Sequence, residues 1–442
     1  MIWVVMEQHL HETPHLDQLA KESVRFTSAY ASAPVCTPTR AALMTGKSPA
    51  QLNMTIWHEA AANPPQNPTT RMIPAHSEAN LPFAELTLAE LFKQAGYRTL
   101  HFGKWHLGEA PSYPENNGFD INIGGTLWGA PPTFFYPFKG GFGRDQEPRY
   151  VPGMEWSKPG DYLTDRLTDK VIDQIDAIGD DPFFLYLAYY SVHTPIEAKE
   201  KDIKHFEGRL KKEHKHTNPV YAAMVKSLDE NVGRVLKKLK DKKLDDNTII
   251  IFTSDNGGFT LPYGGQPRVT TNAPLRSGKG SLYEGGIRVP LIMHSPGWAQ
   301  GVEIEAPTVT HDFLPTLVSA CGLEDTEAQK REGVSLIPIL TEQQGEFPAR
   351  DLYFHYPHYY FGGISSPSSA IRSGDWKFIL QYETGLHELY NLKNDPSEAT
   401  NLIDSKEHQP ERERLLARLA NWLTAVDAQT PVKNPNWKEP DK

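Results

Sequence analysis

Cys36-Thr37-Pro38-Thr39-Arg40 stands where a helix is expected to begin. Thr37 suits the N-cap, Pro38 the first turn and Gly46 the stop. Free N–H groups and partial positive charge at such an end favour an anion. One reading of Cys36 is therefore a low-pKa thiolate nucleophile, and the other is a buried structural cysteine. Three more polar clusters each follow an apolar run: Gly103-Lys104-Trp105-His106-Leu107-Gly108, Val192-His193-Thr194-Pro195 and Ser254-Asp255-Asn256-Gly257-Gly258. Taken singly, a histidine of this kind is more often structural than catalytic, and Asp-Asn-Gly-Gly more often a turn. Together they offer cations, imidazoles and oxygen donors for binding and cleaving an anionic group.

The elements that must carry them are strands leading into crevice loops. Tyr97–Gly103 reads as a strand after a helix over Thr87–Ala95, which Gly96 closes. Pro182–Tyr190 and Thr248–Thr253 are apolar runs of strand length, the latter with the pattern of a strand buried on both faces. Asn218–Leu239 has helical apolar spacing. Ligands of open parallel sheets bind beyond the carboxyl ends of strands, which would bring Lys104, His106, His193, Asp255 and Asn256 to one crevice. The predicted class is α/β, with a large, mostly parallel central sheet flanked by helices. From about residue 346 short strands alternate with turns before an amphipathic helix over Glu411–Val426. This predicts a catalytic domain over 1–345 and a smaller C-terminal domain, 346–442, of antiparallel sheet plus helix.

Composition narrows the function. The 442 residues carry 45 Lys+Arg against 55 Asp+Glu, a net charge of −10, which disfavours non-specific nucleic-acid binding. No apolar stretch is long enough to span a membrane. Two cysteines, Cys36 and Cys321, exclude a disulfide-built scaffold. No secretory signal is legible in Met1–Met6. Three long Pro/Gly-rich segments, Asn63–Pro82, Glu109–Pro159 and Gly257–Arg276, are loops of a length that is usually functional or disordered, and the aromatic-rich second is expected to be ordered. The second, carrying Trp128, Phe134, Phe135, Tyr136 and Phe138, reads equally as a cleft wall or as cover for a sheet edge. Lys199–Lys215 reads as a solvated helix.

Cys36-Thr-Pro38-Thr-Arg40 resembles the Cys-x-Pro-x-Arg signature of the formylglycine-dependent sulfatases, a branch of the alkaline phosphatase superfamily. Arg40–Gly46, Gly103–Gly108, Ser254–Gly258, Leu275–Gly280 with Tyr283–Arg288, and Glu388–Tyr390 with Asp395 and Asn401 resemble further family segments in the same order, so the resemblance covers nearly the whole chain. It implies an alkaline phosphatase-like fold and a sulfuric ester hydrolase whose Cys36 is oxidised to formylglycine by a formylglycine-generating enzyme. One hydroxyl of the hydrated aldehyde then attacks sulfur and expels the alcohol, and the second collapses to eject sulfate. By resemblance a calcium ion would bind residue 36, Asp255 and Asn256. Lys104, His193 and Lys279 would clamp the sulfate, with His193 and Lys279 also assisting the leaving oxygen. His106 would handle the second hydroxyl and Arg40 would hold the hydrate. Periplasmic or secreted location follows from the same resemblance.

One departure bears on the metal. The family begins with a strand ending in paired aspartates, whereas this chain has no Asp before Asp17. The expectation is that the sequence resumes just after that pair, leaving a partial calcium ligand set that Glu7 or Glu12 does not obviously complete. Two alternatives therefore stand beside the sulfatase: a phosphate mono- or diesterase on the same scaffold, and a catalytically impaired protein that binds sulfated glycans. The expected substrate is a sulfated sugar, with a small sulfate ester as the lesser option. His58, Glu59, Trp128, Tyr136, His355, Tyr356 and His358 are the candidate sugar-facing rim, or else a packed seam between domains.

Overall fold

A capping box starts the helix that feeds the first crevice strand. The hydroxyl of Thr87 accepts from the Glu90 N–H at 3.2 Å and the Glu90 carboxylate accepts from the Thr87 N–H at 2.8 Å. Helix Leu88–Gln94 leads into strand Arg98–Gly103. That strand pairs in parallel with Ile121–Ile123 on one side and Phe183–Ala188 on the other. Its register ends with Gly103 opposite Ala188. Gly103 has φ +90°, and a Cβ there would lie 2.1 Å from the Ala188 carbonyl oxygen. Only glycine lets the chain turn out of the sheet at this point, and the next residue is Lys104.

The computed structural model describes residues 10–65, 68–143, 145–265, 268–341, 347–361 and 364–439. Met1–His9 and the expected domain boundary at 345/346 lie outside them. The architecture is α/β, as expected. One sheet is the parallel trio just described. A second runs in the order Val302–Ile304, Val24–Phe26, Leu291–His294, Ile250–Thr253. Its first pair is parallel, and the remaining pairs are antiparallel because Leu291–His294 returns against both neighbours. Helices Leu163–Ala177 and Pro219–Asp241 cover one face, where Val171, Ile175 and Leu239 meet Leu100 and Phe102. Asn218 caps the second of these helices by accepting from Val220 and Tyr221.

Two expectations are corrected. Ile250–Thr253 is half-buried rather than buried on both faces, as is most of Phe183–Ala188. Among the described residues each of these strands pairs along one edge only. Both nonetheless pack into the same two apolar clusters: Phe184 and Ile251 beside Leu91 and Phe92, Leu185 and Ile250 beside Leu100 and Phe102. The charge-rich segment is helical only over Glu200–Glu207.

The C-terminal strands Asp351–Tyr356, Ser368–Ser373, Trp376–Gln381 and His387–Asn391 form an antiparallel meander. Period-two alternation divides its faces. Ile371, Phe378 and Leu389 pack on Leu415 and Leu419 of helix Gln409–Ala425. Phe354, Ala370, Ile379 and Tyr390 pack on Tyr30, Val35, Leu282 and Ile287 of the larger part, so one core serves both. Within that contact Lys377 reaches Glu284 at 3.0 Å and Glu398 at 2.9 Å, and all three side chains are wholly buried. Tyr30 donates to Glu284 at 2.7 Å. Removing one partner from a buried ion cluster leaves uncompensated charge. Lys377→Met should therefore cost about 3–5 kcal/mol, read as a lowered denaturation midpoint in urea, and an unchanged midpoint would contradict this account of the contact.

Candidate active site

Helix Cys36–Thr45 opens with the cysteine itself, 3% exposed. Its N-cap is Val35, in extended conformation and with no side-chain cap. Thr37 is therefore not the N-cap that the sequence suggested. Instead its hydroxyl donates to the His106 carbonyl at 2.8 Å and accepts from the His58 N–H at 3.1 Å, fastening three segments together. Gly46 ends the helix at φ 66°.

The crevice is a cavity of about 380 Å³ whose lining includes Cys36, Arg40, Lys104, His106, His193, Asp255, Asn256 and Lys279. All eight residues expected to act on sulfate or metal thus face one space. Arg40 donates through Nε to Asp255 Oδ2 at 2.8 Å and through Nη1 to the Lys104 carbonyl at 2.6 Å. Lys104 Nζ lies 3.6 Å from the same Asp255 oxygen. Burial raises the Asp255 pKa, but Arg40, Lys104 and Lys279 outweigh it and hold the carboxyl far below its usual range. Burial likewise raises the Cys36 thiol, and Lys104, Lys279 and His106 reverse this, leaving it well below an ordinary thiol. An anion at residue 36 is what this surround stabilises.

Lys279 Nζ lies 3.0 Å from His193 Nε2, and His193 Nδ1 lies 2.9 Å from the Thr194 carbonyl. The carbonyl fixes the proton on Nδ1, so Nε2 accepts from the ammonium. Burial, then Lys279 and Lys104, hold the His193 pKa well below normal, and the ring is neutral. The mobile proton of this pair therefore resides on Lys279.

Several rim expectations are corrected. His58, His355 and His358 are buried, at 2%, 2% and 3% exposed. His58 Nδ1 pairs with the Ala79 carbonyl, His355 with the Ser369 hydroxyl and the Gln429 carbonyl, and His358 with the Thr55 hydroxyl. Burial lowers the His355 pKa to about 4. These rings find local partners and pack, and they do not line the cavity. Tyr356 is wholly buried in the shared core. Trp128 packs edge-on to Tyr150 at 5.1 Å and Tyr136 is exposed, and neither lines the cavity. The aromatic lining includes instead Trp57, Phe142, Tyr360 and Phe361, beside tyrosines such as Tyr189 and Tyr190. Sequence reasoning missed these four and Arg149, because nothing in their spacing ties them to the motifs.

The donors for a hard cation form a fragment. Asn256 Oδ1 is buried with no hydrogen-bond partner, which suits a metal ligand, and Asp255 stands beside it. Calcium takes 6–8 oxygen ligands, yet among the described residues no cluster of three or more His, Cys, Asp or Glu side chains is poised to hold a metal. The Asp255 carboxylate is committed to Arg40 and Lys104. The described residues thus do not fit a calcium site by themselves.

The electrostatics can be tested on unmodified Cys36. Lys104→Met or Lys279→Met should raise its thiol pKa and slow its alkylation by iodoacetamide at neutral pH, followed by mass spectrometry. Equal rates in variant and parent would refute the charge balance given above.

Comparison with known proteins agrees with this geometry. The sulfatase family model matches residues 3–323, and a model described as N-sulphoglucosamine sulphohydrolase, C-terminal, matches residues 278–425. A sulfatase of Formosa agariphila is 32% identical over 96% of this chain and 85% of its own length. Human N-acetylgalactosamine-6-sulfatase is 28% identical over 96% of this chain and 84% of its own. The crystal structure of Ps i-CgsB in complex with k-i-k-neocarrahexaose superposes with a TM-score of 0.76 at 29% identity, covering 96% of this chain and 89% of that one. With the Cys36 helix, the buried lysines and the Asp255-Asn256 pair converging on one cavity, the chain belongs to the sulfatase family.

Proposed function

We propose that this sulfatase removes sulfate from a sulfated carbohydrate, using formylglycine made from Cys36 by a formylglycine-generating enzyme. The observation that carries the reading is the buried cationic surround of residue 36: Arg40, Lys104 and Lys279 converge where a sulfate group would sit. Hydrated formylglycine supplies a nucleophilic hydroxyl and a second hydroxyl whose collapse releases sulfate.

The chain's own residues then divide the work. Lys104 and Lys279 bind sulfate oxygens and neutralise their charge. Lys279 holds the proton that the leaving oxygen needs, and His193 Nε2 fixes the ammonium on the leaving-group side. Arg40, braced by the Lys104 carbonyl, keeps positive charge beneath residue 36. His106 is the base for the second hydroxyl. A cation at Asp255 and Asn256 remains part of the family resemblance, and no step here is assigned to it. Trp57, Tyr360 and Phe361 form an aromatic group, one ring pair edge-on and two tilted, with ring centroids 5.2–5.7 Å apart, that suits the apolar face of a sugar ring. The named sugars of the relatives support a glycan over a small ester. Periplasmic or secreted location is proposed on the resemblance alone. Separately, no helix among the described residues is long and apolar enough to cross a membrane.

Two outcomes test this reading. Co-expression with a formylglycine-generating enzyme should convert the Cys36 peptide from thiol to aldehyde, detected by its mass loss. A free thiol alongside a converted control sulfatase would overturn it. In converted protein, sulfate release from sulfated galactan and aminosugar oligosaccharides should fall in kcat by about 10²–10³ for Lys279→Ala and His193→Ala, with smaller changes in KM. Stoichiometric glycan binding without sulfate release would identify the impaired binding protein instead.

A further inference from the structure

Glu59 was a candidate rim residue in the sequence, but its carboxylate turns inward. It sits in the short helix His58–Ala62, and Oε2 lies 2.6 Å from His106 Nε2. Oε1 accepts from the Gly129 N–H at 3.1 Å and lies 3.2 Å from Arg149 Nη2. Both oxygens are thus engaged, by a ring, a backbone amide and a guanidinium. The His106 ring is held just as closely. His106 has φ 62°, an unusual conformation for a non-glycine residue. A Cβ on Gly129 would lie 2.2 Å from His106 Cε1, so the glycine leaves room for one ring position. His106 Nδ1 is buried with no hydrogen-bond partner, and His106 and Cys36 line the same cavity.

We propose that Glu59 is a positioning residue that makes Nε2 the permanently protonated nitrogen of His106 and leaves Nδ1 as the nitrogen that exchanges a proton with residue 36. A carboxylate can only accept, so the nitrogen beside it must carry hydrogen. The opposite nitrogen is then free to act as base. Serine hydrolases use a carboxylate in this way to set an imidazole tautomer, where replacing Asp by Asn inverts the tautomer and lowers kcat about 10⁴-fold. Here the constraint is stronger than one hydrogen bond, because Gly129 and Arg149 lock the carboxylate while Gly129 also packs on the ring. The assignment of Nδ1 to residue 36 rests on the proposed sulfatase chemistry, but the orientation of the ring does not.

The test uses the whole chain with ¹⁵N-labelled histidine and Cys36 unmodified, so that neither conversion nor turnover is needed. Parent protein should show a His106 Nε2 shift typical of a protonated nitrogen. Glu59→Gln, whose amide can donate, should move that shift toward the unprotonated range, and Glu59→Asp should keep the parent pattern in part. An unchanged Nε2 shift in Glu59→Gln would overturn the proposal. If Glu59→Gln fails to fold, the Arg149→Met chain, which frees one carboxylate oxygen, provides the comparison: a Glu59 carboxylate that governs His106 predicts broadened or doubled His106 signals, and a single unaltered set rejects it. In converted protein Glu59→Gln should lower kcat by about 10²–10⁴ with KM little changed, whereas parent-like kcat would refute the catalytic part. Absence of sulfate release from the parent would count against the proposed function and leave the ¹⁵N result to decide Glu59 on its own.

Discussion

The burial of several like charges around one atom is the constraint on which the site depends. Arg40, Lys104 and Lys279 are at most 9% exposed and surround Cys36, with the Asp255 carboxylate set among them. Such a cluster is costly unless an anion completes it. Asp255 supplies part of that charge, residue 36 can supply more, and a sulfate group would supply the rest. Each cation is also fixed by backbone geometry. Arg40 hangs from the second turn of a helix, Lys104 follows a glycine that alone can pass the Ala188 carbonyl, and Lys279 lies on a loop where its N–H donates to the Gly258 carbonyl. Preorganised charge of this kind needs little reorganisation when a transition state forms.

The C-terminal sheet belongs to this arrangement as much as the central one. Its inner face packs beside Val35, the N-cap of the Cys36 helix, and beside Leu282 and Ile287, which bracket Glu284. Lys377 and Glu398 clamp Glu284 five residues beyond Lys279, and Arg276, three residues before it, donates to Tyr390 at 2.8 Å. The loop carrying Lys279 is thus tied at both ends to the meander. Tyr360, from the segment after the first meander strand, lies against Gly280. The segment after its first strand brings Tyr360 and Phe361 to the cavity wall, and the sheet anchors the loop that carries Lys279.

The parts of the fold written in local pattern were legible. The capping box at Thr87, the cap at Asn218 and the alternating strands of the meander all carry their signal within a few residues. Strand direction was less so. Leu291–His294 is an apolar run whose sequence says that it is buried but not that it returns antiparallel between two neighbours. Among site residues, most motif-borne groups reached the cavity because they sit one to five residues past a strand end or in a helix's first two turns, with Lys279 on a longer loop. The rim histidines did not, since an imidazole with carbonyl and hydroxyl acceptors nearby packs as readily as it projects. Glu59 was misjudged for a related reason. It lies 47 residues from the ring it holds, and neither partner's local sequence announces the other.

The contrast between the molecule's surface and its cavity has a kinetic consequence. The chain carries a net charge of −10, while the pocket offers Arg40, Lys104 and Lys279. A polyanionic chain approaching from a distance meets repulsion first and attraction only at the mouth. Mobile ions screen the first effect over a Debye length of about 8 Å at physiological ionic strength, but they penetrate poorly among side chains buried this deeply. Moderate salt should therefore speed encounter with long sulfated polymers more than it weakens their hold once seated, the reverse of an enzyme whose whole surface is basic. Short oligosaccharides, with fewer charges outside the pocket, should show less of this acceleration.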